Sequence, residues 1–144
     1  MKDIFQFIPI VLYGILGIVS LVMAFKSLFS IKFISFHEKA AAKSWEDLDN
    51  PLQFVILAMM KVSGLGFLVV AILMLVFPVI NYFRPDSFIK YAVPATSFVF
   101  CTGLFLVNYY LYKRTKAMTP WRGSLAAMLF IVAGIILSAV HIAE

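Results

Sequence analysis

The longest apolar run of the chain is LQFVILAMMKVSGLGFLVVAILMLVFPVINYF, residues 52–83, in which Lys61 is the only charged side chain. An α-helix needs roughly 20 apolar residues to cross the hydrocarbon core of a bilayer. This run exceeds that length, and residues 55–83 are predicted to form a membrane span. A helix over residues 51–83 would be roughly 50 Å long at 1.5 Å per residue, so we expect its first turns to project into the interface or the helix to tilt.

Three further runs of the same kind lie at residues 4–25, 88–112 and 121–143. The first is expected to remain in the protein as a span, because it is longer than the apolar part of a signal peptide and no small-residue cleavage site follows it. Hydrophobic residues make up 63% of the chain, charged residues 13%, and the mean hydropathy is +1.00. A water-soluble domain of this composition would aggregate. The chain is therefore predicted to be all-α, a single integral membrane domain over residues 1–144 that forms an up-down four-helix bundle.

The basic residues beside the predicted spans concentrate on one side of the membrane. Eight lie in or next to the first and third connections, three lie on the other side, and Lys61 is left over. The two sets are Lys26, Lys32, Lys39, Lys43, Lys113, Arg114, Lys116 and Arg122 against Lys2, Arg84 and Lys90. Because cytoplasmic loops retain the positive excess, connections 1 and 3 are predicted to be cytoplasmic and both termini to lie outside, in the cytoplasmic membrane of a bacterium. Membrane topology thus explains the net charge of +5 without a nucleic-acid partner.

The first connection, residues 26–50, is predicted to form a helical elbow at the membrane interface. Ser35 and Glu38 have the spacing of a capping box, which would start a helix that continues to Ser44. Apolar and polar residues alternate over residues 29–36, which is typical of a segment at the level of the lipid headgroups. Trp45 is predicted to anchor in the same layer.

Two other helix starts carry a proline signal. Asn50 is predicted to be the N-cap of the second spanning helix, with Pro51 at its first position and Gln53 closing a second capping box. Thr119 and Pro120 repeat the cap and first-position pattern before the fourth helix. Between the second and third spans, the sequence Arg-Pro-Asp-Ser at residues 84–87 predicts a short turn.

Small and weakly polar residues recur on one face of each predicted helix. Such faces let membrane helices approach closely, because lipid supplies no hydrophobic drive for their association. In chain order the faces are Gln6, Tyr13, Gly17, Ser20, Ala24 and Ser27; Gln53, Met60, Gly64, Ala71 and Pro78; Lys90, Pro94, Ser97, Cys101, Asn108 and Tyr112; and Ser124, Ala127, Ile131 and Ser138. They predict a packed bundle.

Lys61 is a candidate contact for an anionic ligand or partner. On insertion scales a lysine costs roughly 2.5–3.5 kcal/mol at the bilayer centre. Counting about 20 residues back from Tyr82 places Lys61 at the cytoplasmic boundary, where its stem can snorkel and most of that cost disappears. Two interpretations stay open, a snorkelling lysine and a cation aimed at an anionic headgroup, substrate or carboxylate.

Asn108 is expected at a depth similar to that of Lys61, with Tyr109, Tyr110, Tyr112 and Arg122 near the same level. Together they are predicted to line a shallow polar pocket beneath the elbow. The candidate ligand or partner contacts are Lys61, Asn108, Tyr112, Arg122 and Trp45. In the alternative interpretation, Tyr and Trp belong to the interfacial aromatic belt and Asn108 hydrogen-bonds a neighbouring helix.

The reactive residue types form no recognisable site. Cys101 is the only cysteine, which excludes an intrachain disulfide and a paired-thiol redox site. His37 and His141 are expected on opposite sides of the membrane and cannot share a metal or haem. The acidic residues of the elbow are expected to form a solvated face, and the absence of acidic residues from the predicted spans argues against a proton-coupled carrier. We therefore predict no catalytic residue, no metal and no cofactor.

The size of the chain, its four spans and its long first connection resemble the layout of the MAPEG group, the membrane-associated proteins in eicosanoid and glutathione metabolism. In that family an Arg and an Asn-x-x-Glu pattern on the second helix build the glutathione site. The corresponding residues 51–61 are PLQFVILAMMK, which contain neither signal and have Lys61 as their only cation. The resemblance implies a small membrane enzyme or binder without assigning a catalytic residue.

The sequence leaves two main hypotheses for function. The first is a non-enzymatic membrane subunit or scaffold that packs against larger membrane proteins or lipids, and the 15 phenylalanines favour it by their contact area. The second is a MAPEG-like enzyme or binder of a lipid-like substrate that enters at the cytoplasmic rim near Lys61 and Asn108. Transport between the protomers of a homo-oligomer is a third, because four short spans can form a pathway only between copies.

Overall fold

The structure is a computed structural model that describes the backbone of residues 2–140 and the side chains of residues 7–139. Within this range the chain forms five α-helices. They are α1 (Lys2–Leu28), α2 (Ser35–Ala41), α3 (Asn50–Phe83), α4 (Ser87–Thr115) and α5 (Trp121–Val140). The described residues contain no strand, which confirms the predicted all-α class. The predictions for His141 and for the side chain of Gln6 fall outside the described residues.

Four of these helices are long and apolar enough to cross a membrane. The qualifying segments are Phe7–Leu28, Asn50–Phe83, Ser87–Thr115 and Trp121–Ala139. Each predicted apolar run lies within one of them as far as the chain is described. Their length and composition are those of an integral membrane protein.

The four long helices form a ring in which each contacts two neighbours. α1 packs on α3, α3 on α4, α4 on α5, and α5 closes the ring on α1, while the backbones of the diagonal pairs lie further apart within the described ranges. We call the end with the α3–α4 turn, residues 84–86, the turn end. The opposite end, with α2 and the α4–α5 connection, is called the elbow end.

The core lies along the axis of this ring and uses the predicted packing faces. Its buried residues come from all four helices, and Met74 and Ile131 are each 1% exposed. The core cluster is Tyr13, Leu16, Val70, Met74, Cys101 and Ile131. Ala24, Ala71, Ser97 and Ser138 of the predicted faces are buried as well.

Two glycines hold α1 and α3 close together. A Cβ atom at Gly17 would lie 2.5 Å from Cγ of Leu75, and one at Gly64 would lie 2.8 Å from Cγ of Leu28. These distances are too short for real carbon atoms, so the two helices approach to a separation that only glycine permits. The pairing of residues 17 with 75 and 28 with 64 also shows that α1 and α3 run antiparallel.

The elbow contains α2 but not the predicted capping box. The cap is Ile34, Ser35 is already helical, and no side chain caps the helix. α2 stops short of the predicted end at Ser44, because Ala42 adopts a left-handed conformation with φ of 51°. The carboxylate of Asp47 then accepts hydrogen bonds from the amide and the hydroxyl of Ser44, at 3.2 and 2.8 Å. α2 contacts α4, and its apposition to a membrane stays a prediction.

Gln53 fixes the start of α3 in a different way from the predicted capping box. The N-cap is Asp49, Asn50 is the first helical residue, and no side chain caps this helix. Instead, Nε2 of Gln53 donates to the carbonyls of Trp45 at 2.9 Å and Leu48 at 3.1 Å. The turn at residues 45–48 folds back over the first turn of α3 and buries Leu48, which brings both carbonyls within reach of the amide.

Thr119 is likewise not the predicted N-cap of α5. Its hydroxyl donates to the carbonyl of Asn108 at 2.7 Å, so the connection is tied to the last turns of α4. The amides of Gly123 and Ser124 bond to the carbonyl of Pro120. The first helical acceptor is therefore Pro120, one residue later than predicted.

Candidate functional site

Lys61 and Asn108 were predicted to share a pocket; of the two cavities described below, Asn108 lines one and Lys61 lines neither. Lys61 is exposed on α3. Asn108 faces the inside of the bundle, where its Nδ2 donates to the carbonyl of Leu104 at 2.8 Å. The amide group of Asn108 is thus held within its own helix, and a ligand role for Lys61 stays a prediction.

Tyr112 and Arg122 both lie against Trp121. The ring centroids of Tyr112 and Trp121 are 5.9 Å apart, and the guanidinium carbon of Arg122 lies 5.4 Å from the Trp121 ring centroid. Phe105 and Tyr109 pack against the same indole. The arrangement is an aromatic cluster at the elbow end with a cation on its surface.

Trp45 lies within the elbow and packs edge-on against Phe33, with 5.2 Å between the ring centroids. His37 belongs to the same aromatic group, 4.0 Å from the ring centroid of Phe36. Its Nδ1 is buried and has no hydrogen-bond partner among the described residues. Burial lowers the pKa of His37, so the imidazole is neutral at neutral pH.

All four long helices line an inner cavity of about 180 Å³ in the elbow half of the bundle. Its wall is mostly apolar, with Ser20, Asn108 and Ser124 as polar exceptions. Typical small-molecule sites measure roughly 300–1,000 Å³. The inner cavity is therefore suited to a short apolar segment rather than to a whole ligand with a polar head.

A larger cavity of about 440 Å³, the turn-end cavity, lies at the other end of the bundle. Its size falls within the range of small-molecule sites. The lining residues are Pro9, Ile10 and Tyr13 of α1; Phe77, Pro78, Asn81 and Tyr82 of α3; Pro85 and Asp86 of the turn; Ser87, Ile89, Lys90, Val93 and Pro94 of α4; and Ser138 of α5. None of the predicted ligand contacts is among them.

The polar groups of the turn-end cavity are positioned by the α3–α4 turn, whose predicted shortness is confirmed. Oδ1 of Asn81 accepts from the amide of Asp86 at 2.8 Å, and Oδ1 of Asp86 accepts from the amide of Ile89 at 3.0 Å. Asp86 thereby caps the start of α4. Lys90, one turn further on, is half-buried, and its ammonium lies 5.7 Å from the ring centroid of Tyr91.

Tyr13 carries a polar group into the wall of the same cavity. The side chain is 4% exposed, and its hydroxyl is buried without a hydrogen-bond partner among the described residues. The ring packs over Gly134, where a Cβ would lie 2.7 Å from the hydroxyl oxygen. Ser138 of α5 lines the same cavity. Two hydroxyl-bearing side chains, one from α1 and one from α5, therefore belong to the cavity wall.

The prolines inside three helices are a sequence feature of the turn-end cavity, but they indicate a cavity only once the helices are assembled. Pro9, Pro78 and Pro94 each lie inside a helix, and all three line this cavity. The predicted packing faces include Pro78, Pro94, Tyr13 and Ser138, and pattern alone assigns them to helix packing. Their convergence at one end depends on the antiparallel order of the helices.

Comparison with protein-family models, with curated proteins and with solved structures finds no match for this chain. The resemblance of its layout to the MAPEG group is therefore not accompanied by a family match. Among the residues that the structure describes, no group of His, Cys, Asp and Glu side chains is placed to hold a metal ion. The candidate site rests on the geometry of the turn-end cavity and on the outward helix surfaces.

Proposed function

We propose that the chain is a small integral membrane protein that acts as a non-enzymatic subunit or scaffold and packs against larger membrane partners and lipids. In this proposal the elbow end faces the cytoplasm and both termini lie outside a bacterial cytoplasmic membrane. The concentration of basic residues at the elbow end supports that orientation. The four long apolar helices support the membrane location.

The outward face of α5 is the observation that carries the partner proposal. Only 11% of the most apolar window of α5 is buried inside the bundle, against 28% for α1 and 22% for α3 and for α4. Its exposed face mixes small and large apolar residues, among them Ala126, Leu129 and Ile136. Since lipid provides no hydrophobic drive, a membrane helix gains stability from close contact with another helix. A partner helix on this face supplies packing that the bundle itself does not give α5.

Co-purification in mild detergent after crosslinking in membranes tests the proposal. We expect larger membrane proteins to co-purify with the chain, and Leu129→Trp to reduce their yield because the indole blocks close approach on the α5 face. Val69→Trp is the matched control, since Val69 is similarly exposed but lies on α3. It should leave the yield unchanged.

Recovery of the chain without any other protein would contradict the scaffold proposal. Equal loss of partners in Leu129→Trp and Val69→Trp would contradict the assignment to α5. Both variants must first show the helix content and thermal midpoint of the parent, because only then does a lost partner report on the surface.

The inner cavity favours a second candidate, a binder or enzyme for a lipid-like substrate at the cytoplasmic rim. This cavity is mostly apolar and reaches Asn108 near the end of α4. In that case the chain should purify as a small homo-oligomer with bound lipid. Ala127→Leu, which adds volume to the cavity wall, should then release the lipid without affecting any protein partner.

A further inference from the structure

Three helices that each contain an internal proline surround the turn-end cavity. Pro9, Pro78 and Pro94 lie inside α1, α3 and α4 and all line its wall. A proline within a helix has no amide proton to give to the carbonyl four residues earlier. The carbonyls of Met74 and Lys90 therefore lack their usual helical donors. Lys90 lines the turn-end cavity, whereas Met74 lines the inner cavity, so only the acceptor on α4 belongs to a residue of this wall.

The cavity also carries two opposite charges that are not paired with each other. Asp86 uses one carboxylate oxygen to cap Ile89, and the ammonium of Lys90 lies over the ring of Tyr91. Both residues line the cavity, and no ion pair joins them. An anion alone would be attracted by Lys90 and repelled by Asp86. A cation alone would be attracted by Asp86 and repelled by Lys90. A molecule with both charges satisfies both residues.

The remaining wall is mostly apolar. Ile10, Phe77 and Val93 contribute side chains from three helices. Val93 lies seven residues beyond Asp86, which corresponds to roughly 10 Å along the axis of α4 at 1.5 Å per residue. The cavity therefore has charges near the turn and apolar side chains further along the helices, which is the polarity of an amphiphile.

We propose that the turn-end cavity binds a zwitterionic amphiphile whose head carries a phosphate and a primary ammonium, as in phosphatidylethanolamine. Lys90 and the hydroxyl of Ser87 contact the phosphate. The carboxylate of Asp86 accepts hydrogen bonds from the ammonium, and the apolar wall contacts the start of the acyl chains. This lipid site does not depend on the proposed scaffold function, so the chain should show the lipid preference even if it binds no protein partner.

Native mass spectrometry of the full chain in mild detergent tests the site with three probes. Short-chain phosphatidylethanolamine carries both charges, short-chain phosphatidylglycerol carries only the anion, and free phosphoethanolamine lacks the acyl chains. We expect phosphatidylethanolamine to bind roughly tenfold more tightly than phosphatidylglycerol, since one hydrogen-bonded charge pair is worth at least that factor. Free phosphoethanolamine should bind more weakly than the lipid that contains it.

Two variants separate the two charges. Asp86→Asn keeps a side-chain oxygen for the amide of Ile89, because Asn caps helices as well as Asp does, and it should abolish the preference between the two lipids. Lys90→Gln should weaken both lipids roughly tenfold, the effect of losing a charged hydrogen bond. Arg84→Gln is the control, since Arg84 is a neighbouring cation that does not line the cavity, and it should bind like the parent.

Equal binding of the two lipids by the parent would overturn the proposal, as would an unchanged preference in Asp86→Asn. Free phosphoethanolamine binding as tightly as the lipid would overturn the assignment to an amphiphile. If Lys90→Gln fails to fold, Asp86→Asn and the comparison of the three probes still decide the outcome.

Discussion

At Gly17 a hydrogen atom in place of a side chain sets the distance between α1 and α3. Gly17→Ala would place a methyl group against Leu75, whose Cγ lies 2.5 Å and whose backbone nitrogen lies 3.3 Å from the new carbon. The backbone contact cannot be relieved by a side-chain rotation, so the helices must separate. Overpacking of this kind costs typically about 1–3 kcal/mol, and we expect a lower thermal midpoint in detergent.

Gly14→Ala is the matched control on the same helix. A Cβ at Gly14 meets nothing within 4 Å, and alanine favours a helix by about 1 kcal/mol over glycine, so this variant should match or exceed the parent midpoint. If both variants lower the thermal midpoint equally, the result would contradict a specific close contact between α1 and α3 at residue 17.

At the scale of the elements, Gln53 joins the elbow to α3. Gln53→Ala removes both hydrogen bonds to the carbonyls of Trp45 and Leu48, so the turn at residues 45–48 should open. Hydrogen–deuterium exchange over residues 44–50 should rise several-fold, consistent with the loss of about 1 kcal/mol per bond. Asn50→Ala is the control, because no side chain caps α3, and exchange should stay at the parent level.

Unchanged exchange in Gln53→Ala together with increased exchange in Asn50→Ala would contradict this assignment. That result would support Asn50 as the N-cap of α3. The spacing of residues in the sequence can predict an N-cap at Asn50, but it cannot predict the hydrogen bonds of Gln53. A capping box is recognised from neighbours three residues apart, whereas Gln53 bonds carbonyls five and eight residues earlier, which depends on the fold of the turn.

The same difference explains which parts of the structure could be predicted. The existence of the four long helices follows from apolar length alone, and the buried faces follow from helical periodicity, as with Tyr13 and Ile131. The end of α2 at Ala41 could not be predicted from the sequence, because an alanine gives no local signal for the left-handed conformation that Ala42 adopts. The turn-end cavity required Pro9, Pro78 and Pro94 to meet, which only the assembled ring determines.

At the scale of the whole molecule, single-cysteine labelling measures the orientation of the chain in the membrane. In a Cys101→Ala background, Arg114→Cys marks the elbow end and Arg84→Cys marks the turn end. We expect a membrane-impermeant thiol reagent to label Arg84→Cys in intact cells and Arg114→Cys only after permeabilisation, because the basic residues concentrate at the elbow end. Labelling of Arg114→Cys in intact cells would reverse the topology.

The length of α3 has a consequence for the surrounding bilayer. α3 has 34 residues, which correspond to roughly 50 Å at 1.5 Å per residue, against a hydrocarbon core of roughly 30 Å. In the proposed membrane location, α3 would have to tilt, extend beyond the core, or thicken the lipid beside it. A response by thickened lipid would favour lateral sorting of the protein to thicker membrane.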